Sequence, residues 1–391
     1  MSIRPVSLPS TALRVDWLTD VRDIKKLRDA WLSLSDRVGG RTVYCDYDWI
    51  IGWYECYTGT KYTYFGQPLL GAVWDKNRLV AVAPFTTARA AVAKVPVQFV
   101  TFAGFNLQAG EFLAEENQPG AIPALLSSLA AGGRWDVLSI TALQPDWKLT
   151  RSLRESACKL NLRVEMVEDD PYAVVDLAAG YEPYLMARPS RFRTNLKRWG
   201  RKLTEAGGWR IDKLDARPSE TQMQIFLERM FALANEGWRA QQRGLQEERN
   251  HQPLFVSILR DFAPRGMLDF QILQIDGTDA AYCVGLVERE RYFHILQGFD
   301  DRLRNLSPGA FLLQEVLKDL AQRGIRSVMS HGDYNYKKHW ASAFIPQSKL
   351  LIFNRSMRAK LSCFAKVHLQ KRFVRMQRVL GARTPAPERL V

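Results

Sequence analysis

Residues 298–324 read GFDDRLRNLSPGAFLLQEVLKDLAQRG. A strand-like run, RYFHILQ (291–297), leads into them, and IRSVMSHGDYNYKKHW (325–340) follows. The chain thus passes from strand to charged loop, tightens at Ser307-Pro308-Gly309, and opens at once into an amphipathic helix. Such a turn has two readings. One is a plain capped helix with proline in its first turn. The other is a cradle for an anion, because a helix N-terminus presents unpaired N–H groups at the positive end of its dipole.

Working outward, the same order of elements occurs twice. In the first half, NRLVAVAPF leads to VQFVTFAGFN, a loop ending in Gln118-Pro119-Gly120, the helix AIPALLSSLAAGGRW and the strand DVLSITAL. In the second, TDAAYCVGLV leads to RYFHILQGFD, the Ser307-Pro308-Gly309 loop, the helix AFLLQEVLKDLAQRG and the strand IRSVMS. Gly104-Phe105 matches Gly298-Phe299, and Pro119-Gly120 matches Pro308-Gly309. The expected fold is α/β (α+β): two tandem modules, each a mixed twisted sheet flanked by helices, plus a basic C-terminal helix. The expected boundaries are 1–178, 179–354 with an Arg-rich connecting helix over 189–204, and a tail over 355–391.

Smaller signals fit this frame. DYDWIIGWYECY spaces its aromatics as a core-facing helix, and GAVWDKNRLVAVAPF reads as a hairpin turning at Asp75 to Arg78. Ser219 and Gln222 make a capping box for a further helix. In SRFRTNLKRWGRKL, Phe192, Leu196, Trp199 and Leu203 fall at helical spacing among six basic residues.

Composition narrows the class. With 391 residues, 47% hydrophobic and 25% charged, the chain suits a soluble protein of two domains. No run has the length of a signal peptide or membrane span. Five scattered cysteines read as reduced thiols, hence a cytoplasmic setting, and neither they nor His251, His339 and His368 have metal spacing. Charge is concentrated at the end. From Arg355 onward ten Lys/Arg face one acid, Glu388, which is +9 of the total +14.

Taken together, SRFRTNLKRWGRKL, LQGFDDRLRNLSPGAFLL and HGDYNYKKHW resemble the GNAT superfamily over roughly residues 25–350. The branch is that of paired GNAT modules: CelD-like acetyltransferases of polysaccharide and envelope biosynthesis and, more distantly, FemABX aminoacyltransferases. One departure stands out. The family pattern has an acid four residues before the glycine of its Gly-Asp-x-x-Tyr-Lys motif, and often an arginine just before it. Here those positions are Val328 and His331.

The resemblance implies an acyl-CoA-dependent N- or O-acyltransferase acting on a sugar, a lipid-linked glycan or a related amine, with acetyl-CoA or another acyl-CoA as co-substrate and no metal. Ser307, Gly309 and Ala310, with Arg302 and Arg304, would hold the pyrophosphate, N–H groups from Ala310 to Leu312 facing it. The matching loop of the first module carries Glu111, Glu115 and Glu116 and no cation, so that module is expected to be cofactor-free. Acid–base candidates are His294, His331, Asp333 and Tyr336. Substrate-binding candidates are Lys337, Arg191, Trp238 and Arg239. Each has a plainer reading: His294 as a hydrogen-bonded core residue, the others as a solvated turn or helix face.

Two other functions stay open: an aminoacyl-tRNA-dependent transferase of the Fem kind, and a non-catalytic GNAT-like scaffold. Nucleic acid is otherwise not an expected partner. The tail offers Met357, Leu361, Phe364 and His368 at helical spacing between cations, as a helix lying on an anionic membrane would. Peripheral attachment to the inner membrane competes with packing on module two and with RNA contact.

Overall fold

Polar pairs between apolar runs become tight hairpins, with Lys76, Asp276-Gly277 and Arg289 at positive φ. The computed structural model describes residues 13–39, 42–57, 66–92, 95–103, 112–133, 135–145, 147–236, 245–332 and 335–364. Among them the chain forms β1 (Arg14–Leu18), β2 (Pro68–Asp75), β3 (Arg78–Val92), β4 (Val95–Phe102), a two-residue β5 (Leu113–Ala114) and β6 (Val137–Leu143). Then β7 (Arg163–Asp176) leads to β8 (Trp209–Lys213), β9 (Leu268–Ile275), β10 (Thr278–Glu288), β11 (Arg291–Phe299) and β12 (Ser327–His331), and β13 (Ala343–Phe353) follows.

The strand order repeats. It is β1-β2-β3-β4-β6-β13 in one half and β8-β9-β10-β11-β12-β7 in the other. In each half the first four strands are antiparallel, the fourth and fifth are parallel, and the fifth and sixth are antiparallel. A helix joins each parallel pair, as a parallel connection requires: Ala121–Gly132 in the first half and Pro308–Gln322 in the second. This is the expected tandem α/β repeat.

The sixth strand of each set comes from the other half of the sequence. One compact unit accordingly ends at Asp169 and resumes at Gln347, and the other is Asp170–Pro346. These limits differ from the expected 178/179 and 354/355, because β7 and β13 are assigned by pairing and not by chain order.

In the second unit the Arg-rich helix Ser190–Glu205 buries Phe192, Leu196 and Leu203 in a core shared with Phe311, Leu312, Val316 and Leu320. Ser219 and Gln222 form the capping box, each main-chain N–H donating to the other's side chain at 2.8 and 3.2 Å. In the first unit the aromatic helix Tyr47–Tyr57 buries Trp49, Trp53, Tyr54 and Tyr57, so it is a core element as its spacing predicts. The helix Met357–Phe364 packs Ala359 and Cys363 on Val97, Val137, Leu351 and Phe353, also of the first unit. The sequence alone offers the second module as one place for it to pack.

Gly285 leaves room for a ring that crosses β10 in the second sheet. A β-carbon there would lie 2.1 Å from the ring of Tyr292, which crosses over it from β11. Gly285→Ala should therefore destabilise the protein by about 1–3 kcal/mol in urea unfolding, the cost of overpacking. Gly132→Ala, at a helix end with nothing within 4 Å, should leave stability unchanged or slightly raised.

Candidate active site

β11 is paired with β10 from Arg291 to Phe299, but with β12 only through Arg291, Tyr292 and Phe293. β12 itself continues to His331 against β7. Beyond Phe293 the parallel strands part, and among the described residues no strand pairs with the β12-side edge of β11 past that point. The fork coincides with a bulge: Val284 faces Leu296 and Gly285 faces His294, so Ile295 has no partner on β10. A bulge bends a strand and re-aims its backbone. An open edge inside a sheet is a place where an extended, amide-bearing ligand can pair.

His294 stands at the fork. Its side chain is buried, with Nδ1 3.4 Å from Ser330 Oγ across the gap. The next residue, His331, points to the opposite face because strand side chains alternate. Its Nε2 lies 4.0 Å from the Asp170 carboxylate, and Tyr172 meets its ring edge-on at 5.6 Å between centroids. The two histidines therefore belong to different faces of the sheet.

The turn after β12 is fastened from several sides. Lys337 is 7% exposed and donates to the His331 carbonyl, with its ammonium 5.9 Å from the Tyr336 ring centroid. Trp340 packs edge-on against Phe192, and its carbonyl accepts from Tyr184 Oη at 2.7 Å. Arg188 donates to the Ala341 carbonyl. Lys337 thus acts first on the turn's own main chain, while Tyr336 is exposed. Asp333, Trp238 and Arg239 lie outside the described residues.

The cradle is more sharply drawn. Ser307 adopts φ 57, ψ 47, left-handed backbone that costs an L-residue about 1–2 kcal/mol, and its side chain does not cap the helix. Phe311 N–H donates to the Ser307 carbonyl at 3.1 Å. The N–H groups of Gly309 and Ala310 find no acceptor among the described residues, one position earlier than the sequence suggests. Gln297, on the open length of β11, donates to the Gly309 carbonyl at 2.6 Å and ties strand to helix. A β-carbon at Gly309 would lie 3.2 Å from Phe299 Cδ1 and 3.3 Å from Gln297 Nε2, so glycine permits this approach.

The loop's arginines are already engaged. Arg302 holds Asp300 in a bidentate pair, and its hydrogen bonds keep that buried carboxyl below the usual range. Arg304 pairs with Asp301 at 2.6 Å. Lys202 reaches the Asn305 carbonyl at 3.1 Å, joining the Arg-rich helix to the loop. Arg191, Lys197, Arg198 and Arg201 of that helix are exposed.

In the first unit the corresponding parts differ. β4 ends at Phe102, one residue past its last pair with β6, where β11 runs six residues past its own. In the helix Ala121–Gly132, Ala121 N–H already donates to the Gln118 carbonyl at 3.0 Å, and the third residue is Pro123, which has no N–H. Among the described residues the N–H groups of Ile122 and of the preceding Gly120 find no acceptor, so the first unit keeps a donor at one of the two helix positions that Gly309 and Ala310 fill in the second. Glu115 is buried and paired with Arg37 at 2.6 Å and Arg78 at 3.2 Å, so its charge is compensated locally and does not guard the helix terminus. Glu111 lies outside the described residues.

Residues 190–338 match the family model of the acetyltransferase (GNAT) domain. That stretch is similar to an acetyltransferase domain of the GNAT superfamily, and the forked β11/β12 pair with its helix terminus lies inside it. FemX superposes with a TM-score of 0.53 at 10% identity, over 85% of this chain and 96% of its own. The C-terminal domain of an Agrobacterium fabrum protein named as a lysylphosphatidylglycerol synthetase gives 0.50 at 12% identity, over 87% and 96%. At such identities the likeness is one of fold. No curated protein matches the chain in sequence.

Ser330, Gln297, Asp170 and Tyr172 were not singled out from the sequence. Only Ser330 and Gln297 carried a local signal, as polar residues on otherwise apolar strands. Among the described residues no group of three or more His, Cys, Asp or Glu is placed to hold a metal. Gln297→Ala, which removes the strand-to-helix tie, should lower stability by about 1 kcal/mol in urea unfolding. An unchanged midpoint would mean that the helix terminus is held without it.

Proposed function

We propose that the protein is an acyl-CoA-dependent N- or O-acyltransferase, and that its second unit alone binds the thioester. The observation that carries this is the pairing of the length of β11 beyond its contact with β12 with a helix terminus whose Gly309 and Ala310 N–H groups find no acceptor among the described residues. Gly309 and Ala310 are suited to the pyrophosphate. The open edge of β11 is suited to the amides of the pantetheine arm and to the carbonyl oxygen of the thioester.

His294 is the best-placed base. Held by Ser330 at the fork, it takes the proton from an amine or hydroxyl acceptor as that group attacks the thioester carbonyl. The new amide or ester bond forms, the C–S bond breaks, and the thiolate leaves with a proton supplied from the turn, where the Tyr336 hydroxyl is the candidate donor. The acceptor class, a sugar, a lipid-linked glycan or a related amine of envelope or polysaccharide biosynthesis, rests on the sequence resemblance.

A second reading, aminoacyl transfer from tRNA, is favoured by the exposed Arg191, Lys197, Arg198 and Arg201 beside the site. RNA that co-purifies with the protein and competes for its activity would support it.

Calorimetry with CoA and acetyl-CoA separates these outcomes. Wild type should bind, and Ala310→Pro, which copies Pro123 of the first unit, should weaken binding by roughly ten- to a hundredfold with little change in Tm. Gly120→Asp should leave affinity intact. Absence of CoA binding by wild type overturns the proposal. In a CoA-release assay over amino sugars and amines, His294→Asn should lower kcat by about 10²–10⁴-fold while CoA affinity holds. Equal turnover would remove His294 from the chemistry.

A further inference from the structure

The helix Met357–Phe364 is docked by its small side. Ala359, Ser362 and Cys363 are buried, and Ser356 fixes the helix start by accepting from Ala359 N–H at 3.0 Å and donating to Asp136 at 2.5 Å. The large apolar residues face the other way. Met357, Leu361 and Phe364, at positions i, i+4 and i+7, are 70%, 54% and 62% exposed. A helix that only stabilised the core would present these faces in reverse, because burying the large side chains removes far more apolar area from water. The helix thus docks by its small side chains and leaves large apolar ones exposed.

Charge decides what the face meets. Arg358 and Lys360 flank it and are exposed. From Arg355 to the end of the chain there are ten Lys/Arg against Glu388 alone, and the first acid comes only after Arg383. RNA would match the cations but not the apolar stripe. A second protein surface would match the stripe but not a charge of one sign. A leaflet rich in anionic lipid matches both: apolar side chains enter the headgroup boundary while the cations meet the surface potential.

We infer that Met357, Leu361 and Phe364, with the basic residues around them, form a docking surface for an anionic membrane. The attachment is reversible and peripheral, since no described helix is long and apolar enough to cross a bilayer. It keeps the transferase beside acceptors that sit in or on the membrane, and it does not depend on the acyl-transfer reading.

The test is flotation of the full chain with phosphatidylcholine vesicles, with and without phosphatidylglycerol, against the double variant Met357→Glu/Leu361→Glu. Both positions are exposed, so the variant should keep its Tm and its CoA affinity. Wild type should float only with phosphatidylglycerol, and progressively less as salt rises. The variant should lose at least about tenfold in partitioning. Wild type that stays unbound at low salt overturns the inference, as does a variant that floats like wild type. If wild type is instead an oligomer by light scattering and the variant is monomeric, the face is a contact between copies. If the substitutions abolish a nuclease-sensitive RNA association, the partner is RNA.

Discussion

A strand that loses its neighbour halfway along a sheet leaves main-chain groups that something else must satisfy. β11 does this after Phe293, and most features of the second unit follow from it. The bulge at Ile295 falls at the start of the freed length, where it bends the strand. Gly285 lets the Tyr292 ring cross the neighbouring strand one residue before the last paired position. Gln297 then fixes the free length to the first turn of Pro308–Gln322. Strand edge and helix terminus become one surface, polar by necessity and short of partners.

The first unit shows what the same topology becomes when that constraint is absent. Its parallel pair is also brief, and β4 ends almost at once, so no comparable length of open edge occurs among the described residues. Its helix start is closed by a main-chain bond at Ala121 and by the missing N–H of Pro123. Of the three acids expected to repel a phosphate, Glu115 lies buried between Arg37 and Arg78 and is structural, Glu116 is exposed, and Glu111 lies outside the described residues. The asymmetry between the units therefore rests on hydrogen-bond supply more than on net charge.

Much of this was legible in the sequence because it is local. Hairpin turns, the Ser219/Gln222 box, the aromatic core helix and the Ser307-Pro308-Gly309 turn are written within a few residues of each other. The duplication was legible too, since its order of elements repeats. What escaped was non-local. Neither β7 nor β13 announces that it completes the sheet set of the other half, because pairing partners lie well over a hundred residues away in sequence from some of the strands they join. Ser330 meets His294 only through the parallel register, and Asp170 meets His331 only through β7. The engagement of Arg302 and Arg304 by Asp300 and Asp301 was hidden for a different reason: a loop of mixed charge does not reveal which pairs close.

Amide hydrogen exchange with and without saturating CoA reads both the strand edge and the helix terminus at once. Exchange should slow at Gly309 and Ala310 and along His294–Phe299, with no change at Ile122 in the first unit. Protection centred on the first turn of Ala121–Gly132, or no protection at the β11 edge, would contradict CoA binding on the strand edge and helix terminus of the second unit.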